Sequence, residues 1–184
     1  MFKYVRYLGY FIIKEMEELK LSKVLALDQS TTHSGFCAYI NGKYDHSGVI
    51  DKHKNKDLES RFKEMYESIH NLIAEEEPDI VVIEDTQAQA GNMGTYKILC
   101  QLQGAIMGMC YAMGIRFYIM PPVKWRSILG YHQGPKVKRT ELKAQSLEFV
   151  KKEFGFEKSE DENEACAICA AFHRMNNAKG IDIE

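Results

Sequence analysis

Four carboxylates in this chain have the type and spacing to do chemistry together. Asp28 closes the apolar run "KVLALD", and Glu84 sits at the end of "DIVVIED". An isolated buried carboxylate is costly. An apolar strand that ends on an acid therefore puts that acid at the rim of a sheet, where open α/β sheets bind their ligands. Asp161 and Glu164 lie three residues apart in "SEDENEACAIC" and so share one face of a helix. That face continues apolar through Ala165, Ile168, Ala171, Phe172 and Met175. Carboxylates that begin a buried face point where the helix packs. Glu160 and Glu162 have a plainer explanation, because acids favour a helix N-terminus, and Ser159 with Glu162 fits a capping box.

Four converging carboxylates repel one another unless a cation neutralises them. An all-oxygen donor set favours a hard ion, Mg²⁺ or Mn²⁺. Two such ions about 4 Å apart activate a water and stabilise the leaving oxygen in an in-line attack on a phosphodiester.

The charge distribution fits a polyanionic substrate. The net charge is only −2, yet residues 121–143 carry Lys124, Arg126, Lys136, Lys138, Arg139 and Lys143 against Glu141 alone. Such residues grip phosphates without reading sequence. Lys124 and Lys138 are the preferred pair for the scissile phosphate or its neighbours, with Arg126, Lys136 and Arg139 as further DNA contacts. Trp125 either packs the core or stacks on a base. His33 is expected to be a polar loop residue beside the site, Asp85 a polar loop residue, and His173 a structural one.

The elements that must position these residues can be read from pattern. Residues 23–28, 34–40 and 43–50 read as strands, the last two joined by Asn41-Gly42, a strong hairpin signal. A helix is expected over 57–77, from Leu58, Phe62, Met65, Ile69 and Leu72 at helical spacing. A fourth strand follows at 79–85, a helix at about 95–113 and a fifth strand at 115–120. Helices over about 138–153 and from about 155 onward close the chain, with a Gly/Pro break at 130–135. Gly104 and Gly108 in the second helix imply close approach of another element, from this chain or a second subunit. The order βββαβαβαα predicts an α/β fold, a mixed five-stranded sheet with helices on both faces.

At this point the residues resemble a known family. "LALDQSTTHSGFCAY", "VVIEDTQ", "PPVKW", "KVKRTEL" and "DENEACAICAA", in this order, are similar to the motifs of the RuvC family of Holliday-junction resolvases, especially its compact phage and bacterial forms. The resemblance covers about residues 23–175 and implies the ribonuclease H-like fold. It implies Asp28, Glu84, Asp161 and Glu164 as ligands of two Mg²⁺ or Mn²⁺ ions. It implies an endodeoxyribonuclease that nicks opposing strands of four-way junctions as a homodimer paired through the helix after the fourth strand. Forks and flaps remain open as further substrates, and the setting implied is the cytoplasm of a bacterium or a phage-infected cell. Two departures stand out. Glu164 replaces the family's second aspartate, and "DTQAQAGNMG" lacks the aromatic wedge of many relatives, leaving Met93 or Tyr96 as substitutes. Lys136, Lys138 and Arg139 all remain candidates for the family's second lysine.

Two rival readings exist. "LALDQSTT" also resembles the phosphate loop of sugar kinases and actin-like ATPases, which need a second nucleotide lobe that 184 residues do not accommodate. A non-catalytic branched-DNA binder would be marked by a lost carboxylate, and all four positions are acidic. Residues 23–178 are read as one nuclease domain, 179–184 as a tail, and 1–22 as either an added element or an extension upstream of Met16. Lys3, Arg6, Lys14 and Glu15 make the N-terminal run too charged for a membrane span. The five cysteines are expected to be reduced and buried, with "CAIC" on a packed helix face rather than on zinc.

Overall fold

The computed structural model describes residues 23–51, 57–88 and 91–177. Five strands, β1 (Lys23–Asp28), β2 (His33–Ile40), β3 (Lys43–Asp51), β4 (Ile80–Glu84) and β5 (Arg116–Met120), form one sheet in the order β3-β2-β1-β4-β5. β1 pairs antiparallel with β2 and β2 with β3, whereas β1–β4 and β4–β5 are parallel. Asn41 and Gly42 have φ of 51° and 74°, the left-handed pair that a tight β2–β3 hairpin turn requires. The mixed sheet follows from this connectivity. Hairpin turns make antiparallel neighbours, and each helical crossover returns a parallel one.

Five helices cover the sheet: α1 (Leu58–Glu76), α2 (Met93–Met113), α3 (Pro122–Ile128), α4 (Arg139–Phe154) and α5 (Glu160–Asn177). Strand alternation sends Leu25, Leu27, Val81 and Ile83 to a core with Met65, Ile69 and Ile73 of α1 and Leu102 and Ile106 of α2. Val24, Ala26, Ile80 and Val82 face the other core, with Trp125 of α3, Val150 of α4 and most of α5. The central strands are apolar on both faces because both faces are covered.

Two expectations need correction. The segment expected to carry only the basic residues forms α3, a short helix started by Pro121 and Pro122. Proline is well placed there, since first-turn N–H groups have no helical partner. Second, α5 is not buried along one stripe. Every residue from Glu162 to Phe172 is buried, because β1 and β2 lie beneath it and α3 and α4 pack against it. Burying Phe172 and Ile168 in this position contributes about 1.5–3 kcal/mol each. All five cysteines are free and four are buried. Among the described residues, no helix is long and apolar enough to cross a membrane. Residues 1–22 and 179–184 lie outside the described residues.

Candidate metal centre

Parity brings Asp28 and Glu84 together. The β1–β4 ladder pairs Val24 with Ile80 and ends at Leu27 with Ile83. Asp28 and Glu84 are the next rung, and alternation turns both toward the α5 face, in line with Val24–Ala26 and Ile80–Val82. The Gln29 side chain continues the link past the ladder, its Nε2 donating to the Glu84 carbonyl at 2.7 Å. Gln29 is 7% exposed, and its Oε1 is buried without a partner among the described residues.

A glycine brings α5 down onto this rim. Gly35 of β2 lies opposite Asp28 in the register. A Cβ at Gly35 would lie 1.9 Å from the Asp161 carbonyl oxygen, so only glycine lets the first turn of α5 rest on β2. The helix start is further held by Glu162, which accepts from Ser47 Oγ at 2.7 Å and lies 3.5 Å from Lys158 Nζ. The sequence accounts for Glu162 as a helix-end acid in a capping box with Ser159. It donates its backbone N–H to Ser159 Oγ at 3.4 Å, as the capping pattern implies, but its carboxylate is buried against β3.

The result is a cluster. Asp28, Asp161 and Glu164 each offer a carboxylate oxygen, and these three oxygens lie within 4.8 Å of one another. Glu164 is 8% exposed. Glu84 stands beside this trio, with its Oε1 accepting from Trp125 Nε1 at 2.8 Å. Such a crowded set of hard oxygen donors suits a divalent cation.

Electrostatics describe the same crowding. Burial, then the charges of Glu84, Glu164 and Asp161, push the Asp28 carboxyl well above its ordinary range, with Lys143 opposing. Burial and the Glu164 charge raise Glu84 to about 7, against the Trp125 hydrogen bond and the charges of Arg126 and Arg139. Glu164 is raised by burial and moderated by Lys143, Arg126 and Arg139. These carboxylates resist ionising together until positive charge arrives.

The basic residues divide into two groups. Arg126, Arg139 and Lys143 act on the cluster. The Arg126 guanidinium stacks over the Trp125 ring at 4.8 Å, and Lys143 pairs with Glu160 at the start of α5. Lys124 turns elsewhere, donating to the Tyr118 hydroxyl with its ammonium 5.1 Å from that ring's centroid. Lys136 and Lys138 are exposed, and Lys138 is the N-cap of α4, its backbone N–H reaching Glu141 at 3.4 Å. His33 pairs with Asp51 at 2.8 Å, and His173 packs under Gly42. Asp85 accepts from Gln103 Nε2 at 3.4 Å, within a network that ties the loop after β4 to α2.

Several residues that shape the centre escaped the sequence reading. Trp125 is fully buried, which is the core-packing alternative, but no motif in the sequence marks its bond to Glu84. Lys143 read as one basic residue among six. Gly35 and Gln29 read only as part of a small polar turn and strand start. The one signal for Trp125 was its place five residues after the β5 end, next to Arg126.

Solved structures share this architecture. RuvC of T. thermophilus in complex with Holliday junction substrate aligns with a TM-score of 0.68 at 15% identity, covering 86% of this chain and 96% of that one. The fold is that of RuvC. The Thermus thermophilus RuvC structure aligns at 0.66 and 18% identity, over 86% of this chain and 97% of that one. The yeast mitochondrial Holliday junction resolvase Ydc2 reaches 0.59 at 13% identity, covering 91% and 85%. Fowlpox virus resolvase with substrate Holliday junction DNA reaches 0.54 at 12%, covering 86% and 98%. No protein-family model matches the chain, and no curated protein sequence does either. The RuvC likeness is therefore one of shape.

Proposed function

We propose that this chain is a divalent-metal-dependent endonuclease that nicks opposing strands of Holliday junctions and acts as a homodimer. The observation that carries the reading is the meeting of Asp28, Asp161 and Glu164 oxygens within 4.8 Å, on a fold shared with RuvC and other Holliday junction resolvases. Asp28, Asp161, Glu164 and Glu84 would hold Mg²⁺ or Mn²⁺, two ions in the full site. When bound, the ions supply an activated water and stabilise the leaving oxygen.

The remaining work falls to the chain's own residues. Arg126 and Arg139, already acting on the carboxylates, bring positive charge to where a phosphate would sit. Lys136, Lys138 and Lys124 extend the phosphate-binding surface outward. Met93, 54% exposed at the start of α2, replaces the missing aromatic as the group that enters the branch point. The dimer contact is assigned to α2. Added Cβ atoms at Gly104 and Gly108 would meet nothing within 4 Å, and Tyr111 is 73% exposed. A two-fold pairing there gives two equivalent sites, which suits two strands of like polarity.

The decisive experiment offers the purified protein with Mg²⁺ four-way junctions, forks, flaps and linear duplex side by side. Paired nicks in the junction are expected, and Asp28→Asn is expected to abolish them while still binding the junction. A preference for linear duplex, or full activity of Asp28→Asn, overturns the reading.

A further inference from the structure

The fold delivers one side chain to Glu84 by a short route. Met120 ends β5 directly beside Glu84 in the β4–β5 register, and the Asp85 N–H donates to the Met120 carbonyl at 2.9 Å. Pro121 and Pro122 then stop the strand and start α3, whose first bonds run from Lys124 and Trp125 back to the Pro121 carbonyl at 2.9 and 3.2 Å. One turn of helix therefore carries Trp125 back over the β4 end. There its indole N–H meets Glu84 Oε1 at 2.8 Å.

The indole is held on its other sides. Trp125 is fully buried. Tyr131 packs edge-on against it at 5.4 Å, and the Arg126 guanidinium lies over it at 4.8 Å. Arg126 Nε is itself buried without a hydrogen-bond partner among the described residues. A large side chain is thus fixed with its one donor aimed at one carboxylate oxygen.

We infer that Trp125 is the positioning residue of the metal centre, its indole N–H fixing Glu84 so that the carboxylate offers its other oxygen, Oε2, to the cation. This rests on the proposed role of Glu84 as a metal ligand. Hydrogen-bond partners of ligating carboxylates orient them, and losing one costs about 10- to 100-fold in metal affinity or activity. Trp125 is also the chain's single tryptophan. Its emission and its indole N–H resonance therefore report on Glu84 without any label.

The test uses the full chain and Mn²⁺ or Mg²⁺ alone. Paramagnetic Mn²⁺ is expected to quench the tryptophan emission, and Mg²⁺ to shift the one indole N–H resonance. Trp125→Phe, which keeps an aromatic ring but loses the donor, is expected to bind Mn²⁺ about 10-fold more weakly, counted from the free-ion electron paramagnetic resonance signal. Equal affinity in Trp125→Phe, with the wild type still binding and quenching, overturns the positioning role and leaves the metal reading intact. Absence of Mn²⁺ binding by the wild type sinks both. If Trp125→Phe does not fold, Glu84→Gln decides the matter. In metal-free protein it is expected to move the indole N–H resonance, and an unmoved resonance overturns the contact.

Discussion

Gly35 of β2 and Asp161 of α5 touch through backbone, with no room between them for even one methyl group. The missing side chain lets a helix start lie flat on a strand end, and it is what brings Asp161 to Asp28. Gly35→Ala forces a Cβ to within 1.9 Å of the Asp161 carbonyl oxygen, far inside contact distance, unless α5 shifts. Overpacking of this kind costs about 1–3 kcal/mol. A displacement of about 1 Å in a reacting group can cost about 10²-fold in rate. The variant is expected to melt several degrees lower and to lose most junction cleavage while keeping its helical circular dichroism. Wild-type cleavage by Gly35→Ala would show that the helix start does not have to lie where it does.

The raised carboxylates predict a pH dependence opposite in sign to ordinary acid denaturation. Asp28, Glu84 and Glu164 all have folded-state values above their usual range, Glu84 reaching about 7. Between the unfolded value of about 4 and the folded one, the native state holds protons that the unfolded chain has released. The stability these groups contribute is complete below about pH 4 and is lost as pH rises through their raised folded values, which for Glu84 means through about 7. In chelator, urea midpoints are therefore expected to fall from about pH 5 to about pH 8. Mg²⁺ is expected to restore the midpoint at the upper end and to do little at the lower. A metal-free midpoint that climbs across that range would contradict the buried, crowded state of the three acids.

The sequence made the sheet and its acidic ends legible because both depend on local alternation. "KVLALD" and "IVVIE" each carry apolar residues on two faces and stop on an acid, and parity alone then orients Asp28 and Glu84. The Asn41-Gly42 turn was equally local. What stayed hidden depends on contacts distant in sequence. Gly35 matters only because α5 passes over it, and Trp125 only because β5 ends beside Glu84. The capping pattern accounts for Glu162 at the helix end, but its bond from Ser47 of β3 depends on a contact far away in sequence. The α3 helix is a few residues long and lacks a repeating stripe, so its start at two prolines was the only available mark.

The basic candidates can now be ranked. Lys136, Lys138 and Arg139 are all exposed, but Arg139 is among the charges that most favour ionisation of Glu84 and Glu164, while Lys138 is the N-cap of α4. A positive group that already lowers the cost of ionising the site carboxylates is placed to meet a phosphate brought to them under the proposed function. Arg139→Ala is expected to reduce the single-turnover cleavage rate by about 10²-fold, the scale of removing one donor aimed at developing charge. Lys138→Ala is expected to weaken junction binding modestly and to flatten its salt dependence by about one phosphate contact. Single-turnover rates and salt-dependent binding, measured on the same four-way junction, separate the two roles. A larger rate loss from Lys138→Ala than from Arg139→Ala would reverse the ranking and return the scissile phosphate to Lys138.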